Sequence, residues 1–139
     1  MKKNAALPAR LADSGKPYLL KLEPEDLPAV RKATTDLSFG FWEIDAKALT
    51  DEEAVWDLFA KAFAFPAHFG RNWDSLIDCL RDLDGTPFKG YVLVLSGAEA
   101  LANRDPELLG ALIDCLDNVS EEFDQWKGGR VPFKTVLID

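Results

Sequence analysis

The stretch Tyr91-Val92-Leu93-Val94-Leu95 decides the fold class of this chain. It is a continuous apolar run, without the alternation expected of a strand that has one face in water. Such runs are typical of parallel sheets, in which helices cover both faces of the central strands. We therefore expect a central strand at these positions.

Two further strands are predicted outside this run. Residues 39–45 alternate in character, with Trp42 and Ile44 on the same face. Residues 133–138 form the last predicted strand.

Capping residues mark three helices between the strands. Thr50, Asn72 and Asp105 are the expected N-caps, because short polar side chains accept hydrogen bonds from the first free amides of a helix. The second helix is expected to run to about Asp82, and Gly128-Gly129 to stop the third. Strands that alternate with helices predict an α/β fold with a small three-stranded parallel sheet, flanked by helices and joined by right-handed connections.

The first 38 residues are expected to form an N-terminal extension to a domain of residues 39–139. Residues 18–22 suit a short strand or an extended arm, and Glu23-Pro24-Glu25-Asp26 begins a short helix. The total length of 139 residues is usual for a single domain that needs neither disulfides nor a structural metal.

The net charge of −8, from 24 acidic and 16 basic residues, limits the classes of partner. Such a protein is repelled by nucleic acid and by anionic lipid, whereas its field attracts basic proteins. No apolar run approaches the length of a membrane span, and the two cysteines do not make a disulfide framework. We expect a cytoplasmic protein with reduced thiols, with no nucleic-acid partner and no membrane association.

Motifs of enzymes are missing from the sequence. It has no glycine-rich phosphate loop, no nucleophile elbow and no HExxH motif, and its single histidine, His68, is too few for a two-histidine metal site. We expect no catalytic residue, no metal and no cofactor. One enzymatic alternative remains open, in which Asp74, Asp78 and His68 converge in a concave pocket.

The helix that follows Asn72 carries the most informative pattern. With about 100° of rotation per residue, its apolar side chains share one side, while Asp74, Asp78 and Asp82 form a ridge about 100°, 140° and 180° from Trp73. The ordinary interpretation of such a ridge is a solvated helix face. Like charges at this spacing destabilise a helix, which weakens that interpretation and leaves a binding role as the alternative. Such a row of carboxylates imitates a row of phosphates and suits a basic partner.

The stretch Pro66-Ala67-His68-Phe69-Gly70-Arg71-Asn72-Trp73-Asp74-Ser75-Leu76-Ile77-Asp78-Cys79-Leu80 resembles the barstar family of intracellular barnase inhibitors. The likeness extends over about residues 39–139. The resemblance implies a protein that blocks a ribonuclease by inserting the loop and the acidic helix into its active site. It further implies that Asp74 and Asp78 face the catalytic basic residues, with Asp78 as the central anchor, and that Phe69 and Gly70 make loop contacts.

The sequence departs from the family pattern at four positions. His68 replaces an aromatic residue, Ile77 stands where the family prototype has tryptophan, and Arg81 and Asp82 replace small residues. An acid on the last helix, within residues 117–122, is also expected at the interface, but the sequence leaves its identity open. The predicted partner-binding residues are His68, Phe69, Gly70, Asn72, Asp74, Ile77, Asp78, Arg81 and Asp82.

We expect the free protein to be a monomer. The resemblance implies that its partner is a basic ribonuclease or a related toxin. The alternative is a barstar-like module for another basic protein, either a non-nuclease toxin or a regulator.

Overall fold

A computed structural model describes residues 6–126 and 131–139, and these residues form a parallel sheet in the order β1-β4-β3-β2. The strands are β1 (Leu19–Leu22), β2 (Gly40–Asp45), β3 (Tyr91–Ser96) and β4 (Phe133–Ile138). The predicted α/β class is confirmed, but the prediction of three strands was wrong. The fourth is β1, which pairs with β4 from Leu19 opposite Thr135 to Leu22 opposite Ile138. Without β1, the backbone groups along this edge of β4 would be left without ladder partners.

Helices connect the strands and cover the sheet. They are α1 (Leu7–Ala12), α2 (Leu27–Leu37), α3 (Glu52–Phe63), α4 (Trp73–Arg81), α5 (Ala98–Arg104) and α6 (Pro106–Trp126), with short 3₁₀ turns at Pro24–Asp26, Ala46–Ala48 and Asp82–Gly85. Helix α5 was not predicted, because its seven residues bury only Ala98 and Leu101 and so carry little periodicity. Within the described part of the chain, no helix is both long and apolar enough to cross a membrane.

The capping predictions are largely confirmed. Asn72 Oδ1 accepts a hydrogen bond from the Ser75 amide at 2.8 Å, and Asp105 Oδ1 accepts one from the Leu108 amide at 3.1 Å. The exception is Thr50, because Asp51 is the N-cap of α3 and accepts from the Ala54 amide at 2.9 Å. The predicted stop at Gly128-Gly129 lies outside the described residues.

Each face of the sheet has its own apolar core. Helices α3, α4, α5 and α6 cover one face, and α1 and α2 cover the other. Every residue from Tyr91 to Leu95 in β3 is at most 1% exposed, which confirms a strand buried on both faces. Residues of the predicted extension therefore cover one side of the sheet. The division of the chain at residue 38 stays a prediction.

A buried lysine joins the segment before β1 to the sheet. Lys134 of β4 is 1% exposed, and its ammonium group donates to the Gly15 carbonyl and, at 2.7 Å, to the Pro17 carbonyl. The ammonium nitrogen lies 5.8 Å from the centroid of the Tyr18 ring, whose hydroxyl donates to Asp124 of α6 at 2.9 Å. Burial lowers the pKa of Lys134, and burial together with the bond to Asp124 raises the pKa of Tyr18 to about 12.

Candidate functional site

The loop between α3 and α4 rests on a cluster of aromatic rings. The Phe69 ring centroid lies 4.9 Å from that of Phe65 and 6.3 Å from that of Trp56, and the Trp56 and Trp73 centroids are 4.8 Å apart. Phe69 is therefore partly buried against the core, while the neighbouring His68 is exposed. Phe65 and Trp73 also pack on the core.

Polar bonds set the shape of this loop. The Gly70 amide donates to Ser75 Oγ at 2.7 Å, and Asn72 Nδ2 donates to the Gly70 carbonyl at 3.2 Å. A Cβ atom on Gly70 would lie 3.1 Å from Ser75 Cβ and 3.2 Å from Asn72 Nδ2, so a side chain would crowd both neighbours. Gly70 thus permits a close approach between the loop and the first turn of α4.

The basic loop residue Arg71 forms its ion pairs with α3 and not with the acidic ridge. Arg71 adopts a left-handed backbone conformation, with φ of 55°, and its guanidinium lies 2.6 Å from Glu53 and 2.9 Å from Asp57. Both acids belong to α3, and the hydrogen bond to Glu53 is the main cause of a raised pKa of Arg71. The positive charge of Arg71 is therefore offset by α3.

Helix α4 separates apolar from acidic side chains as its pattern predicted. Leu76 and Leu80 are fully buried, and Ile77 packs on the same core while partly exposed. Asp74 and Asp78 lie on the exposed side. Asp82 is exposed too, but it lies just beyond the helix, which ends at Arg81, and begins a 3₁₀ turn.

Arg81 joins α4 to the last helix. Its Nη1 atom donates to both carboxylate oxygens of Glu122, at 3.0 and 2.9 Å, and its Nη2 atom donates to Asp78 Oδ1. The hydrogen bond to Glu122 is the main cause of a raised pKa of Arg81. Among the acids between residues 117 and 122, Glu122 is therefore the one that contacts Arg81, a predicted site residue.

The two helices run in the same direction across this surface. Arg81 contacts Glu122 at one end. At the other end, Asp74 is close enough to Cys115 for its charge to contribute, after burial, to raising the pKa of that thiol to about 12. The loop, the exposed side of α4 and the neighbouring edge of α6 therefore form one continuous candidate site. No local pattern predicts the contact between Arg81 and Glu122, because the two residues are 41 positions apart.

Cavities of about 310–380 Å³ among the described residues lie away from Asp74 and Asp78. One of about 360 Å³ is lined by Lys21, Glu99 and Asp139 at the carboxyl edge of the sheet, and another of about 310 Å³ by Tyr18 and Glu121. Asp78 is instead 63% exposed. Within residues 6–126 and 131–139, no group of three or more histidine, cysteine or acidic residues is arranged to hold a metal ion.

Comparison with known proteins assigns the chain to a family. Residues 39–138 match the sequence profile of the family described as Barstar (barnase inhibitor). A search of curated proteins finds no match to the chain. The matched segment includes the loop, α4, α6 and three of the four strands. The chain therefore belongs to the barstar family of barnase inhibitors.

Proposed function

We propose that this protein inhibits a basic ribonuclease by covering its active site with α4 and the preceding loop. The observation that carries the proposal is the exposed pair Asp74 and Asp78 on a helix whose opposite side, Leu76 and Leu80, is fully buried. The buried side holds the helix rigidly, so the two carboxylates keep their spacing without a partner.

Electrostatic complementarity explains why a nuclease suits this surface. A ribonuclease active site gathers cationic side chains to hold the phosphates of RNA. Carboxylates on α4 offer the same kind of oxygen acceptors, and charge-assisted bonds to them are the stronger class of hydrogen bond. The net charge of −8 attracts a basic enzyme and speeds the encounter.

Loop residues complete the proposed contact area. His68 and Gly70 are exposed in the loop that precedes the acidic ridge, and Phe69 adds the part of its ring that the core leaves uncovered. Asn72 contributes indirectly, because its side chain caps α4 and holds the Gly70 carbonyl. In this proposal no side chain of the protein performs catalysis, and neither a metal nor a cofactor takes part.

Inhibition of barnase, the nuclease named in the family description, provides the test. RNA cleavage is measured with increasing amounts of the wild-type chain, Asp78→Ala and Asp36→Ala. Asp36 is a matched control, because it is an exposed helical acid paired with a basic residue, Lys32, four positions away. Removing one partner of a buried charge pair costs about 3–5 kcal/mol, so Asp78→Ala should weaken inhibition by more than about 100-fold.

The test has a control variant and two outcomes that would contradict the proposal. Asp36→Ala should inhibit as the wild type does. A wild-type chain that leaves cleavage unchanged, or an Asp78→Ala variant that inhibits normally, contradicts the proposal.

A second candidate is a basic partner that is not a nuclease. Ile77 and Arg81 favour it, because the first is an apolar side chain packed on the core where the family prototype has tryptophan, and the second adds a positive charge beside Asp78. Capture of a basic protein that is lost in Asp78→Ala, with RNA cleavage unaffected, would distinguish this candidate. In either case we propose that the free protein is a cytoplasmic monomer.

A further inference from the structure

The acidic ridge contains a cation of its own. Arg81 lies between Asp78 and Glu122, and their side chains are 41%, 63% and 25% exposed, respectively. The three groups together carry a single negative charge. A partner that approaches Asp78 therefore meets a carboxylate that already binds a guanidinium.

Glu122 binds the guanidinium of Arg81 independently of Asp78. Both oxygens of Glu122 accept from Nη1, whereas Asp78 accepts only from Nη2 and through its Oδ1 atom. Glu122 is also the less exposed acid, so its pairing with Arg81 is less screened by water than the pairing with Asp78. If the bond to Asp78 breaks, Glu122 still neutralises Arg81.

We propose that Arg81 is a specificity-determining residue that competes with partner cations for Asp78. In this proposal, which rests on the proposed function, a partner that engages both oxygens of Asp78 must displace Arg81, which then stays on Glu122. The displaced guanidinium remains within the contact area, paired with Glu122, so the partner must compensate for the lost bond between Arg81 and Asp78. The surface therefore discriminates against basic proteins whose cations bind Asp78 no better than Arg81 does.

The test measures binding of a hexa-arginine peptide, which needs no nuclease. Dissociation constants are compared for the wild type, Arg81→Ala and Arg81→Gln, where the second variant retains much of the side-chain length. Lys32→Ala is the matched control, because it removes the same charge from another exposed pair on a different helix. Thermal unfolding of each variant checks that the fold is intact.

Both Arg81 variants should bind the peptide about 2- to 5-fold more tightly than the wild type at low salt, a range that corresponds to an exposed or half-exposed ion pair. The gain should disappear when Asp78→Ala is added, and Lys32→Ala should leave the affinity near that of the wild type. At about 1 M salt the gain should be largely lost, because the charges are then screened within a few ångströms.

Several outcomes overturn the proposal. Unchanged or weaker binding by Arg81→Ala means that Arg81 positions Asp78 instead of competing for it. An equal gain in Lys32→Ala, or a gain that persists without Asp78, means that only net charge matters. Failure of the chain to inhibit barnase refutes the proposed function as tested there but does not alter the peptide result, so the two proposals fail separately.

Discussion

Replacing Lys134 with methionine tests how residues 13–18 are held on the sheet. Lys134→Met retains most of the apolar stem and removes the ammonium group that donates to the Gly15 and Pro17 carbonyls. Each hydrogen bond from a charged donor contributes about 1.5–3 kcal/mol, and the cation above the Tyr18 ring adds about 0.5–2 kcal/mol.

The burial of the ammonium group lowers the free energy of unfolding of the wild type and so opposes these contributions. Its lowered pKa reflects the cost of removing a charge from water, and methionine avoids that cost. Offsetting the two contributions gives an expected loss of about 2–4 kcal/mol in the free energy of unfolding, or about 5–15 °C in Tm.

Urea denaturation followed by circular dichroism measures this loss. Lys21→Met is the control, because Lys21 is an exposed lysine on the neighbouring strand β1 and should change stability by less than about 0.5 kcal/mol. Hydrogen exchange adds a local measurement, since the Thr135 amide donates to the Tyr18 carbonyl at 3.0 Å and should lose protection in Lys134→Met. A variant as stable as the wild type, or more stable, would refute the assignment of Lys134 as the main attachment of this segment.

Three further predictions concern single side chains. Thr135→Val should raise the free energy of unfolding by about 1 kcal/mol in denaturation experiments, because the buried Thr135 hydroxyl has no hydrogen-bond partner among the described residues; a loss of stability would contradict this. Asn72→Ala should cost about 1 kcal/mol by removing the cap of α4, and an unchanged denaturation midpoint would count against that role. Burial raises the pKa of Cys115 from 9.0 to about 12, so its contribution to stability is complete below pH 9 and is lost as the pH rises towards 12, at most about 4 kcal/mol. The stability of Cys115→Ala should therefore fall less than that of the wild type over this range, and parallel pH curves would exclude the effect.

Local patterns predicted the elements that carry a strong signal of their own. The unbroken apolar run of β3 correctly predicted a strand with both faces buried. The residue types of Asn72 and Asp105 correctly predicted where two helices begin. The rotation of side chains around α4 separated Asp74 and Asp78 from the core without knowledge of the rest of the chain. Each of these predictions depends only on neighbours within a few turns of helix or residues of strand.

Pairings between distant segments were not predictable in the same way. Strand β1 has only four residues, and its assignment depends on the edge that β4 offers. The contact of Arg81 with Glu122 likewise depends on how α4 and α6 pack. A basic residue next to an acidic ridge was visible in the sequence, but the carboxylate that holds it was one of several candidates on the last helix.

The attachment of β1 to β4 also sets an order of events for the growing chain. Gly15 and the lysine that binds its carbonyl are 119 residues apart, so β1 and α1 are synthesised long before their partner strand. At about 5–20 residues per second, the early segment waits roughly 5–25 s for β4. During that interval Leu7 and Leu11, which end up buried against the sheet, lack the complete sheet that covers them. The pairing of β1 with β4 therefore cannot begin until nearly the whole chain has been made, and until then the apolar side chains of α1 depend on other contacts for cover.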